Sequence, residues 1–144
     1  MAEYPTAMMS AVAVDDESLA LKVVEHFCSR IDYVALQKTF SKPTEALKHL
    51  RKYPVDLLFL DIQMSSLSGL EFYKSVPQDT MVIFTTAHSQ YAVEGFNLNA
   101  LDYLLKPFTF DRFLQAVQKA AAQYQLRRQA AVTPQKYLYI RADY

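Results

Sequence analysis

Val55-Asp-Leu-Leu-Phe-Leu60 runs directly into Asp61, and Ile62-Gln63-Met64 follows. The stretch Leu57 to Leu60 is large and apolar at every position, which leaves no room for a wet face. It therefore reads as a strand covered on both sides, the kind found in parallel sheets with helices packed above and below. Asp61 stands at the carboxyl end of that strand. In an open parallel sheet this is the edge where ligands bind.

Outward from this strand the same alternation repeats. Ser10-Ala-Val-Ala-Val14 is a short apolar run that stops at Asp15-Asp16-Glu17, and Tyr33 to Phe40 has the β-branched and aromatic makeup of a strand. Met81 to Thr85 is another buried run, and Ala100 to Leu105 is cut off by Lys106-Pro107. Between the strands lie helical patterns. Leu19, Val23, Phe27 and Ile31 recur at near-helical spacing. Pro43 suits a first turn, followed by Ala46, Leu47 and Leu50 on one face, and Pro54 closes that segment. Leu67 to Val76 reads as a short helix ended by Pro77, and His88 to Phe96 as a helix with Gly95 near its end. Phe110, Phe113, Leu114, Val117, Ala121 and Tyr124 mark one face of a long final helix. Five strands alternating with five helices predict an α/β fold around a five-stranded parallel sheet.

Composition narrows the function. The chain has 144 residues, 51% of them hydrophobic, and its fifteen basic and fifteen acidic residues cancel. A neutral chain offers no general field for binding DNA or an anionic membrane. Two glycines, Gly69 and Gly95, exclude a dinucleotide fingerprint and a phosphate loop. A single cysteine, Cys28, excludes an internal disulfide and a thiolate-rich zinc site. No apolar run approaches the ~20 residues of a membrane span, and the N-terminus lacks the order of a signal peptide. The expected location is the cytoplasm. Residues 1–8 read as a leader, 9–127 as the folded domain, and 128–144 as a linker and the start of a truncated C-terminal domain. In that last segment Lys136 to Arg141 alternates like a strand with no partner left in the chain.

Four strand ends deliver chemistry to one edge: Asp15 and Asp16 after the first strand, Asp61 after the third, Thr85-Thr86 after the fourth and Lys106 after the fifth. Adjacent carboxylates suit a hard divalent cation such as Mg²⁺. A carboxylate also serves as a nucleophile that forms an aspartyl-phosphate. Cation, lysine and hydroxyl together then hold the phosphoryl oxygens, where transition-state charge resides.

Val14-Asp15-Asp16-Glu17, Leu60-Asp61-Ile62-Gln63-Met64, Ser68-Gly69-Leu70, Thr85-Thr86-Ala87 and Lys106-Pro107-Phe108 together resemble the receiver domain of two-component response regulators. Phe84-Thr-Thr-Ala-His88, Tyr91-Ala92 and Ala100 to Phe108 look like receivers joined to a LytTR-type DNA-binding domain, and Lys136–Tyr144 is similar to the first strand of such a domain. The resemblance implies a flavodoxin-like, doubly wound (βα)₅ fold with strand order 2-1-3-4-5. It implies that Asp61 is the phosphoacceptor, that Asp16 binds Mg²⁺ (or Mn²⁺) directly with help from Asp15, and that Gln63 lends its backbone carbonyl. Thr86 is the implied switch hydroxyl, Lys106 the phosphoryl contact and Tyr103 the switch aromatic. Lys106-Pro107 is implied to be cis. The resemblance also implies that Gln63 and His88 take the positions that flank the hydrolytic water and tune the lifetime of the phosphorylated state, although His88 read alone merely starts the fourth helix and faces solvent. The implied partners are a sensor histidine kinase, a second copy of the chain through the surface around the fourth helix, fifth strand and fifth helix, and DNA through the missing C-terminal domain. The domain is then no metabolic enzyme, since it catalyses only its own phosphorylation and dephosphorylation. One departure stands out. The pattern carries proline after Met64, where this chain has Ser65.

Other readings compete. Asp15-Asp16-Glu17 suits a helix cap when taken alone, but Asp61 and Lys106 at neighbouring strand ends favour a site. A haloacid-dehalogenase-type phosphatase needs an aspartate where Gln63 stands. A flavin binder needs a phosphate-cradling loop where the three acidic residues would repel it. A degenerate receiver, serving only as a docking or dimerisation module, would have lost an acidic residue or the lysine. Asp56 and Asp102 sit at the wrong ends or phases of strands and read as structural. Thr85 is expected to point into packing. His26 and His49 read as surface or boundary residues, Cys28 as a helix residue without a role, and Arg127-Arg128 as a solvated helix end.

Overall fold

Alternation along the central strands explains why they are apolar throughout. In the computed structural model, which describes residues 8–65, 67–77, 79–88 and 100–132, Leu57 and Phe59 pack on one face of the sheet. Leu58 and Leu60 pack on the other, as the two-residue repeat of a strand requires. The strands are β1 (Met9–Val14), β2 (Val34–Phe40), β3 (Leu57–Asp61), β4 (Met81–Thr86) and β5 (Asp102–Leu105). All pair in parallel, in the order β2-β1-β3-β4-β5. This is the flavodoxin-like arrangement implied by the resemblance.

Helices cover both faces. On one side α1 (Ser18–Ser29) contributes Leu21, Val24 and Cys28 to a core shared with Met9, Ala11, Ile83 and Leu104. The last helix, α4 (Phe110–Val132), adds Phe113, Ala116, Val117 and Ala120, all fully buried. On the other side α2 (Pro43–Lys52) places Ala46 and Leu50, and α3 (Gly69–Lys74) places Phe72, against Val12, Val14, Val82 and Phe84.

The structure corrects the phase of α1. The residues turned into the core are Leu21, Val24 and Cys28, continued by Ile31, whereas Leu19 is 75% exposed and Val23 40% exposed. Two apolar stripes compete on this helix, and the one that meets Ala11, Ala13 and Phe113 wins. α3 is shorter than the expected Leu67–Val76 because Ser68 caps it: its Oγ accepts the Glu71 N–H at 3.1 Å. α4 continues to Val132, past the boundary at 127 expected for the folded domain. The helix expected over 88–96 lies, apart from His88, outside the described residues, as do the leader up to residue 7 and the strand-like 136–141. Among the described residues no helix is long and apolar enough to cross a membrane.

Candidate functional site

The carboxyl ends of β1, β3, β4 and β5 meet at one edge. Asp15 directly follows β1, and its N–H continues the ladder to Phe40 O at 3.1 Å. This fixes its side chain in a buried place, 5% exposed. Its Oδ1 accepts the Glu17 N–H at 2.9 Å. Its Oδ2 accepts from Lys106 Nζ at 2.8 Å. Asp61 is the last residue of β3 and is buried as well. Its Oδ1 accepts the Gln63 N–H at 3.3 Å. Beyond it, Ile62 donates its N–H to Thr85 O at 3.0 Å and accepts from Gly69 N–H at 2.7 Å, so the chain turns sharply into α3. Gly69 has to be glycine here. A Cβ would collide with the carbonyl oxygen of Asp61 and lie 2.7 Å from Ile62 Cα.

Asp16 is exposed, and its Oδ2 accepts the N–H of Ser65 at 3.0 Å. Oxygens of Asp15, Asp16 and Asp61 lie within 4.8 Å of one another. Lys106 faces them from the end of β5. Its N–H bonds Thr86 O at 2.7 Å. Its Nζ lies 3.4 Å from Glu17 Oε1 and 3.7 Å from Asp61 Oδ1. The Lys106–Pro107 peptide is cis.

Burial and the adjacent charge of Asp15 push the Asp61 carboxyl up to about 7, against the opposing pull of Lys106 and the Gln63 N–H. Burial alone would lower Lys106, but its bond to Asp15 and the charges of Asp15, Asp61 and Glu17 outweigh it and hold the ammonium above its usual range. One ammonium thus faces a crowd of carboxylates. The donors are all hard oxygens, with no imidazole or thiolate among the clustered groups. That set fits Mg²⁺ or Mn²⁺ and relieves its own repulsion by binding one.

Thr85 and Thr86 are both buried and alternate in direction. Thr85 lines an apolar groove with Leu19, Val23, Phe27 and Phe108 beside Lys106. The Thr86 hydroxyl accepts the His88 N–H at 3.0 Å. The Tyr103 ring stacks on Phe84 at 5.5 Å, and Phe84 touches Tyr73 at 5.6 Å, so β5, β4 and α3 share an aromatic ladder. The side chains of Gln63 and His88 are exposed at the same rim.

The acidic residues read as structural are so. Asp56 accepts from Ser10 N and Oγ, and Asp102 accepts two bonds from Arg112. His49 packs between Phe40 and Tyr53, and His26 is exposed. Cys28 belongs to the core, where burial pushes its thiol up to about 12. Sequence reasoning missed the contact of Glu17 with Lys106, the bond from Ser65 to Asp16, and the exposed apolar pair Leu19 and Val23. A helix with two apolar stripes was the available signal for the last of these. The first two depend on loop geometry that no spacing rule encodes.

The model of the response regulator receiver domain family matches residues 11–118. A response regulatory protein of Vibrio cholerae serotype O1 is 36% identical over 119 residues, covering 81% of this chain and 50% of the relative. The sensory transduction protein LytT of Bacillus anthracis is 36% identical over 121 residues, covering 82% and 49%. The chain thus spans about half the length of these relatives. The response regulatory domain of mrkE from Klebsiella pneumoniae has a similar structure, with a TM-score of 0.76 at 30% identity, covering 82% of this chain and 99% of that one.

Proposed function

Because this chain belongs to the response regulator receiver family, we propose that it is a phosphorylation-dependent switch in which Asp61 takes a phosphoryl group from a sensor histidine kinase. The observation that carries this reading is the placement of Asp61: a buried carboxylate at a strand end, with Asp15 and Lys106 beside it. One Asp61 oxygen attacks phosphorus. The new O–P bond forms as the donor's N–P bond breaks, and that electron pair stays on the donor imidazole, which takes up a proton.

The cation would be held by Asp16 and Asp61, by Asp15, and by the Gln63 main-chain carbonyl, and when bound it offsets charge on the transferring oxygens. The chain's own residues do the rest. Lys106 presents its ammonium to a phosphoryl oxygen. Thr86, released from His88, donates its hydroxyl to another. Tyr103, stacked on Phe84 one residue before Thr85, follows that movement and carries it to the outer face of β5. Gln63 and His88 flank the path of the hydrolytic water and set how long the signal lasts, so substituting either alters the dephosphorylation rate.

The output is a homodimer promoted by phosphorylation, through the surface of β5 and α4, while the helix expected over 88–96 to share it lies, apart from His88, outside the described residues. It controls a DNA-binding domain beyond residue 132, of the LytTR type. The relative named LytT supports that assignment. The setting is the cytoplasm. The test is Mg²⁺-dependent labelling by acetyl phosphate, read by intact mass. Wild type gains one phosphoryl group and Asp61→Asn gains none, while a labelled Asn variant overturns the assignment.

A further inference from the structure

We infer that the main-chain amide of Ser65 is a positioning group for the cation ligand Asp16, an inference that rests on the proposed function. Asp16 is the exposed member of the three clustered carboxylates. Asp15 is held by Lys106 and the Glu17 N–H, and Asp61 by the Gln63 N–H. Asp16 stands on the loop between β1 and α1, where an exposed side chain is free to choose among rotamers. The Ser65 N–H, from the loop between β3 and α3, donates to its Oδ2 at 3.0 Å across 49 residues of sequence.

A carboxylate offers about four lone-pair sites. Accepting one N–H therefore leaves Asp16 able to ligate a cation through its remaining lone pairs. The bond fixes the side chain toward Asp61 before any cation arrives, so less freedom is lost on binding. Ligating carboxylates are commonly oriented in this way, and losing such a partner costs about 10–100-fold in metal affinity. The same bond ties the first loop of the site to the third. Position 65 is where this chain departs from the proline of the resembled pattern, and proline has no N–H to give. The serine hydroxyl takes no part; the main chain makes the bond.

The experiment compares Mg²⁺ affinity, by calorimetry, for wild type, Ser65→Pro, Ser65→Ala and Asp16→Asn. Ser65→Pro is expected to weaken binding about tenfold. Ser65→Ala, which keeps the amide, is expected to retain wild-type affinity. Equal affinity of Ser65→Pro and wild type overturns the inference, and if Asp16→Asn still weakens binding the proposed function stands. Absence of Mg²⁺ binding by wild type overturns both. Amide hydrogen exchange of the cation-free protein gives a second readout that needs no proline variant. The Ser65 amide should be protected in wild type and should exchange faster in Asp16→Ala. Unchanged exchange overturns the inference whatever the metal data show.

Discussion

Lys106 donates to Asp15 and not to Asp61. Its Nζ lies 2.8 Å from Asp15 Oδ2, a hydrogen bond that spans 91 residues of sequence, whereas Asp61 Oδ1 is 3.7 Å away, within ion-pair range only. The ammonium is thus anchored beside Asp61, with Glu17 as a second acceptor. In the proposed function, this arrangement would leave Asp61 able to attack while the positive charge stands beside it for a phosphoryl oxygen.

Replacing that ammonium should cost rate more than folding. For Lys106→Met we expect labelling of Asp61 by acetyl phosphate at saturating Mg²⁺ to slow by about 10²–10³-fold, the usual cost of removing one preorganised donor from a developing charge. Intact mass against time measures it, and circular dichroism checks that the fold is kept. A wild-type labelling rate would remove Lys106 from the chemistry.

The crowding around Asp61 makes the site costly to fold. Burial and Asp15 push its carboxyl up to about 7, above the value of about 3.9 in an unfolded chain. The folded state therefore holds the proton more tightly, and stability is lost as pH rises from about 4 to about 7. Asp61→Asn is neutral throughout. In the absence of divalent cations it should be more stable than wild type by roughly 1–3 kcal/mol at pH 8, with the gap closing toward pH 4. Mg²⁺ should raise the wild-type Tm more than the variant's. Calorimetry at both pH values decides it, and an Asn variant no more stable at pH 8 would rule out this account.

Much of this site was legible because parallel strands expose their ends. Leu57 to Leu60 is too apolar for anything but a central strand, so Asp61 had to emerge at the crevice, and the same reasoning placed Asp15, Thr86 and Lys106. Helix phase was less legible. Leu19 and Val23 fit a helical period as well as Leu21 and Val24 do, and only packing against the sheet separates them. Contacts between loops, such as Ser65 with Asp16, have no periodic signature. The reach of α4 to Val132 was also hidden, since Gln, Ala and Arg from residue 127 suit a helix end and a helix interior alike.

Asp102 offers a pH test away from the site. Burial alone would raise its carboxyl, but the Arg112 bonds at 3.0 and 2.8 Å, with the Tyr103 N–H and Lys119, pull it below the usual range. A depressed folded value means stability that is present above about pH 4 and lost as pH falls through it. Arg112 is over a third exposed, so solvent screening discounts the pair. Arg112→Met should cost about 1–3 kcal/mol at pH 7, and much less in acid, once Asp102 is protonated. Urea unfolding under the two conditions measures this, and a cost independent of pH would mean that packing, not charge, is what Arg112 provides.

Gly69 tests how tightly the Asp61 backbone is held. Its N–H bonds Ile62 O at 2.7 Å, and the space where a side chain would begin is filled by the carbonyl oxygen of Asp61 and by Ile62 Cα. These are backbone atoms of β3 and the turn after it, so they cannot swing aside as a long side chain would. Gly69→Ala must therefore move α3 away from β3 or displace Asp61 itself. Overpacking of this kind costs about 1–3 kcal/mol, to be read by urea unfolding. A shift of the Asp61 backbone also misaligns its carboxylate, and a misplacement of about 1 Å can cost on the order of 10²-fold in rate. Acetyl phosphate labelling of Gly69→Ala should be slowed even under conditions where the variant is fully folded. Wild-type stability together with wild-type labelling would show that the turn yields without cost, and that α3 does not position Asp61.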